Sequence, residues 1–146
     1  AGSRGMVYGQ ELDLKYEALA ATEEQLRLIH RNKTGALINA AVQMGAAAAG
    51  ATPQQCEILA SYAYGLGLVF QIVDDVLDVT ATEEQMGKSV GSDAGHNKNT
   101  FLSFCAVEQA IAEAERLSRE AAELLAGYPG AERLRALAVF LAVRMS

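Results

Sequence analysis

The chain has 146 residues, about half of them hydrophobic, and a net charge of −6. That length suits one domain, and an acidic balance with no basic run longer than two residues excludes a general nucleic-acid surface, which needs clustered Lys and Arg. Two prolines, abundant alanine and thinly scattered β-branched residues favour helix over sheet, so the expected fold is all-α.

Five helical segments are predicted. Met6 to Tyr16 forms a short helix or helix end, and Thr22, followed by Glu23–Gln25, opens a second that can run to about Ala49. "GATP" at 50–53 ends it, with Thr52 as N-cap and Pro53 in the first turn of a third helix that continues from about Gln54 to about Gln85. Residues 87–100, "GKSVGSDAGHNKNT", read as a long loop, and loops of that length inside a domain tend to be functional. A fourth helix is expected from about Phe101 to Ala126, and a final amphipathic one over Glu132–Arg144. The uncharged stretches Thr34–Cys56 and Ile58–Val73 are interrupted by Asn39, Gln43, Gln54, Gln55 and Gln71, so they suit buried globular helices and no transmembrane segment is expected. Helices apolar all round need other helices about them, and this chain offers few. Cys56 and Cys105 stand far apart without CxxC spacing, and no cationic, apolar-cored leader precedes the first helix; a reduced, cytoplasmic setting follows, with each thiol a small core residue.

Inside the third helix "FQIVDDVLDVT", residues 70–80, carries three carboxylates in an otherwise apolar run. Bringing a carboxylate out of water is costly unless a charge meets it. On a helix, Gly67, Gln71, Asp74, Asp75 and Asp78 share a sector of roughly 100°. Leu68, Val69, Phe70, Ile72, Val73, Val76, Leu77 and Val79 occupy the rest, which leaves this as the one solvated face. Carboxylates one turn apart, with a glycine clearing space a turn earlier, suit a hard cation such as Mg²⁺, which joins one or two carboxylates to substrate phosphates. An N-cap or a solvated acidic face is the alternative.

Together with its neighbours this stretch resembles the trans-prenyltransferases, the family of farnesyl and geranylgeranyl diphosphate synthases. "GLGLVFQIVDDVLDVT" is similar to the family's second aspartate-rich motif, "GMVYGQELDL" at 5–14 to GMxxGQxxDL, "HRNKTGALI" at 30–38 to HxxKTGxLI, and "GKSVGSDAGHNKNTF" at 87–101 to GKxxGxDxxxxKxTF. The resemblance runs the length of the chain. It implies the isoprenoid synthase helical bundle and condensation of an allylic diphosphate with isopentenyl diphosphate, with a short-chain product, farnesyl or geranylgeranyl diphosphate. By position it assigns Asp74, Asp75 and Asp78 to Mg²⁺ and the allylic diphosphate, and Lys33, Lys88 and Lys98 to the diphosphate oxygens. Gln71, Thr34 and the Lys33 carbonyl would face the allylic cation, while Gln10 and Asp13 would line the allylic site and support its lysine. Phe70 could border the isopentenyl site or simply pack. His30 and His96 lack a partner at metal-ligand spacing and read as structural, and Arg144 reads as solvent-facing.

The family's first aspartate-rich motif and its early isopentenyl-binding element do not occur in these 146 residues. The sequence therefore resembles the C-terminal half of a synthase, about five helices of the bundle. Three expectations follow: the chain alone is inactive, its apolar faces over 23–49 and 54–85 are left partly uncovered, and it forms a homodimer or pairs with the missing N-terminal half. A non-catalytic regulatory subunit is a second reading, although intact aspartates and lysines speak against it, and a terpene cyclase relative is a third, against which stands the lack of an NSE-type metal triad in the sequence.

Overall fold

The computed structural model describes residues 2–17, 19–85 and 99–143. Among these, six α-helices and two tighter or wider turns occur, and no strand. The helices are α1 (Met6–Tyr16), α2 (Glu23–His30), α3 (Ala36–Ala48), α4 (Pro53–Gln85), α5 (Val107–Glu123) and α6 (Glu132–Val143).

Helix ends follow local chemistry closely. Thr22 and Gln25 exchange side-chain to backbone hydrogen bonds of 2.9 and 3.2 Å at the start of α2, and Thr52 and Gln55 do the same at 2.8 and 3.3 Å at the start of α4. Gly50, at φ +70°, closes α3: its N–H reaches the Ala47 carbonyl and the Ala51 N–H reaches that of Ala46.

The second helix expected from Thr22 to about Ala49 is found as two α-helices with a wider turn between them. Arg31–Gly35, "RNKTG", forms a π-helical turn between α2 and α3, while the backbone stays helical on both sides. Tertiary contact provides the reason. A Cβ on Gly9 of α1 would lie 2.1 Å from the Lys33 nitrogen, and one on Gly67 of α4 would lie 2.7 Å from Gly35 Cα, so the turn is gripped backbone to backbone from both sides. The Arg31 guanidinium, 4.1 Å from the Tyr64 ring centroid, fastens the same turn to α4.

α4 is the axial element, packed on α3, α5 and α6. Its Val69, Ile72, Val73 and Val76 form one core cluster with Leu26, Phe101, Ala110 and Ala114. Tyr62 and Leu66 form a second with Ala121, Leu125, Ala131 and Ala138. Small residues at 110, 114, 118 and 121 let α5 approach α4 closely, and the Ser118 hydroxyl donates to the Ala138 carbonyl of α6 at 2.5 Å. By length and composition alone α4 could cross a bilayer, yet it carries the three aspartates and lies against three other helices, as a core helix does.

Three expectations need correction. The fourth helix starts at Val107 rather than Phe101 and ends at Glu123 rather than Ala126. Phe101–Ser103 is a separate 3₁₀ turn, closed by the Ser103 and Phe104 N–H groups on the Thr100 and Phe101 carbonyls, with the Phe101 ring in the core. Phe70 and Val79 are 37% and 41% exposed, so the aspartate face is not the only open side of α4. Other apolar residues are more open still: Met44 is 74% and Phe140 62% exposed. Arg144 lies outside the described residues.

Candidate functional site

Asp74, Asp75 and Asp78 look into a cleft of about 150 Å³. α4 forms one wall, with Gln71 a turn before the aspartates. Asp13, Tyr16 and Glu17 from α1 and its C-terminal end, with Ile29, His30 and Lys33, form the facing walls, and Asn99 and Thr100 complete the rim.

Asp74 and Asp78 are exposed to the cleft, whereas Asp75 is half-buried and accepts the Phe101 N–H at 2.7 Å. Lys33 makes an ion pair with Asp13 across the gap between the π turn and α1. Directly behind it, the Thr34 hydroxyl donates to Gln71 Oε1 at 3.0 Å, which joins the π turn to α4. The extra residue of that turn thus presents Lys33 toward α1 and Thr34 toward α4, and π turns occur often at functional sites.

His30 is 5% exposed and its Nδ1 has no hydrogen-bond partner among the described residues. Burial pushes its pKa down to about 4, Lys33 and Arg27 push the same way, and Asp13 opposes them. The imidazole is therefore neutral at physiological pH and adds no cation to the cleft.

Five carboxylates line the cleft (Asp13, Glu17, Asp74, Asp75 and Asp78) against one ammonium, Lys33, among the described residues. Among the described residues no three Asp, Glu, His or Cys side chains converge to hold a metal by themselves. Mg²⁺ does not require that, because it commonly takes one or two carboxylates, waters and substrate phosphates. The exposed, oxygen-only pair Asp74 and Asp78, one helical turn apart, fits such an ion.

Of the residues predicted from sequence, Asp13, Lys33, Gln71, Asp74, Asp75 and Asp78 are brought together in this cleft. Thr34 sits behind the wall on Gln71, and Gln10 is half-buried on α1 without lining the cleft. Lys88 and Lys98 lie outside the described residues. His30, Tyr16 and Asn99 line the cleft although sequence reasoning gave them no role there. His30 stands three residues before Lys33, which was a usable signal; Asn99 offered none.

The described residues thus form an all-α bundle with a carboxylate cleft facing a Lys-Thr turn. The polyprenyl synthetase family model matches residues 3–143. The geranylgeranyl diphosphate synthase of Cyanophora paradoxa is 48% identical over 82% of this chain and 40% of its own. Among solved structures, the geranyltransferase of Legionella pneumophila superposes with a TM-score of 0.79 at 35% identity, covering 99% of this chain and 46% of that one. The Helicobacter pylori geranyltransferase complexed with magnesium and isoprenyl diphosphate gives 0.73 at 32% identity, over 98% and 47%. The chain belongs to the polyprenyl synthetase family. It spans less than half the length of these relatives.

Proposed function

We propose that this chain supplies the second aspartate face of a prenyltransferase that condenses an allylic diphosphate with isopentenyl diphosphate to a short-chain product, farnesyl or geranylgeranyl diphosphate. The observation that carries the reading is the convergence of Asp13, Lys33, Gln71, Asp74 and Asp78 on one cleft, drawn from three separate segments of sequence. A relative of the same fold was solved with magnesium and isoprenyl diphosphate.

Asp74 and Asp78, with Asp75 beside them held by the Phe101 N–H, would hold Mg²⁺, which when bound neutralises diphosphate charge and steadies it on leaving. Lys33 adds a fixed ammonium to the diphosphate oxygens, and Asp13 holds that ammonium in place between substrates. Lys88 and Lys98 are assigned the same oxygens from sequence. As the allylic C–O bond breaks, its electron pair leaves with the diphosphate; the allylic cation is faced by the Gln71 oxygen, held from behind by the Thr34 hydroxyl, and by the Lys33 carbonyl, which stabilise it by dipole without being basic enough to react. The isopentenyl double bond then supplies the electrons of the new C–C bond, and the diphosphate takes the departing proton. Gln10 supports the α1 wall behind Asp13.

The reading also holds that the 146 residues do not turn over alone, since one aspartate cluster grips the diphosphate from one side only. Catalysis is assigned to a homodimer or a pairing with the half of a synthase that carries the first aspartate-rich motif, in a reducing, cytoplasmic setting consistent with two free thiols. The test is an assay with dimethylallyl and isopentenyl diphosphates and Mg²⁺, alone and with a polypeptide carrying the first half of a relative. Activity on mixing that falls by orders of magnitude in Asp74→Ala, at unchanged or raised thermal stability, is the expected result. Turnover by the chain alone, or a loss within tenfold for Asp74→Ala, overturns the assignment.

A further inference from the structure

Asn99 uses its side-chain amide in three directions at once. Its Nδ2 donates to the Tyr16 carbonyl at 2.6 Å and the Leu19 carbonyl at 2.9 Å, and its Oδ1 accepts the Ala21 N–H at 2.9 Å. All three partners are backbone groups around the link between α1 and α2. Two residues further on, Phe101 is fixed by other means. Its N–H bonds Asp75 at 2.7 Å, its ring is buried in the core beside Val73 and Val76, and the Arg27 guanidinium lies 5.1 Å from the ring centroid.

Residues 99–101 are therefore a strut from the aspartate turn of α4 to the base of α1. The other side of the cleft is tied by Asp13 to Lys33 and by Thr34 to Gln71, which returns to α4. These contacts form a closed ring around the cleft mouth. α1 rests on the π turn and on α2 rather than broadly on α4, so packing alone does not set the width of the cleft.

We propose that Asn99 is a positioning residue: it closes this ring and holds the α1 wall, with Asp13 and Lys33, at a fixed separation from the aspartates of α4, and so sets the affinity of the cleft for a diphosphate with its divalent cation. The proposal rests on the cleft being a diphosphate site. Asn99 carries no charge, so replacing it leaves the electrostatics of the cleft unaltered and changes only the position of its walls. Two or three neutral hydrogen bonds are at stake, which corresponds to about a tenfold change in affinity if half their energy reaches the bound state.

The experiment uses the 146-residue chain, inorganic pyrophosphate and Mg²⁺, with binding measured by titration calorimetry and amide exchange followed residue by residue. Asn99→Leu keeps the shape and removes every hydrogen bond; Asn99→Ser, too short to reach the link, serves if the leucine variant fails to fold. Ser118→Ala is the control, because it removes a buried hydrogen bond far from the cleft. The expected result is a dissociation constant raised about tenfold in the Asn99 variants and unchanged in Ser118→Ala, with faster exchange at the Ala21 amide and, through the strut, at the Phe101 amide. Wild-type affinity in an Asn99 variant whose Ala21 amide has lost protection overturns the proposal and leaves the diphosphate site standing. No binding by the wild-type chain overturns both.

Discussion

Adding one methyl group at Gly9 should break the site from outside it. The Cβ of Gly9→Ala would stand 2.1 Å from the Lys33 nitrogen and 2.6 Å from Asn32 C and Lys33 Cα, where ordinary contact begins at 3.4 Å. All three atoms are backbone, so no side chain can rotate away; α1 or the π turn must retreat by more than an ångström. Overpacking of this kind costs about 1–3 kcal/mol, and a clash with backbone belongs at the upper end. Alanine returns about 1 kcal/mol in helix propensity, which leaves a net loss of about 2 kcal/mol, or about 4–8 °C in Tm for a chain of this size. The same substitution at Gly45, in the exposed interior of α3 with nothing within 4 Å of a built Cβ, should stabilise by up to about 1 kcal/mol. Thermal and urea unfolding of the two variants side by side is the assay. A Gly9→Ala chain as stable as wild type would refute the claim that α1 clamps the Lys-Thr turn.

Lys33→Met should separate binding from stability. The ion pair to Asp13 is 35% and 41% exposed on its two sides, so its loss should cost under about 1 kcal/mol of folding energy, whereas affinity for Mg²⁺ pyrophosphate should fall about tenfold to a hundredfold; unchanged calorimetric affinity would remove Lys33 from the site. His30 should make stability depend on pH. Burial, aided by Lys33 and Arg27 and opposed by Asp13, lowers its folded pKa to about 4 from 6.5, so the unfolded chain binds the extra proton first and stability is lost as pH falls from about 6.5 toward about 4. The loss should reach up to about 3 kcal/mol in the unfolding free energy from urea titrations, and His30→Leu should flatten that part of the profile; an equal slope in the variant would refute it.

What the sequence disclosed depends on the range over which each cause acts. Thr22 with Gln25, Thr52 with Gln55, and Gly50 act within a few residues, so the helix ends they set are readable directly. The aspartates, Lys33 and Gln71 were readable as motifs, and the spacing of 71, 74, 75 and 78 placed them on one face, as found. The π turn was not readable. "LIHRNKTGALI" has ordinary helical periodicity, and its extra residue is held by Gly9 and Gly67, which lie far away in sequence and act by lacking a side chain. The start of α5 was misplaced because Phe101 is tied to Asp75, 26 residues earlier, in a 3₁₀ turn of its own that stands before the helix.

Asn99 marks the far end of this range, because its partners are backbone groups 78 to 83 residues distant and leave no trace in any pattern of side chains. The two kinds of residue divide the work of the cleft. Groups that meet a ligand must have particular chemistry at a particular spacing, so they form motifs. Groups that fix the distance between walls need only a small backbone or a hydrogen-bonding fork at one point in space, and any sequence that folds to deliver it will serve. Asn99 is of the second kind, and its effect on affinity should exceed anything its distance from the aspartates along the chain suggests.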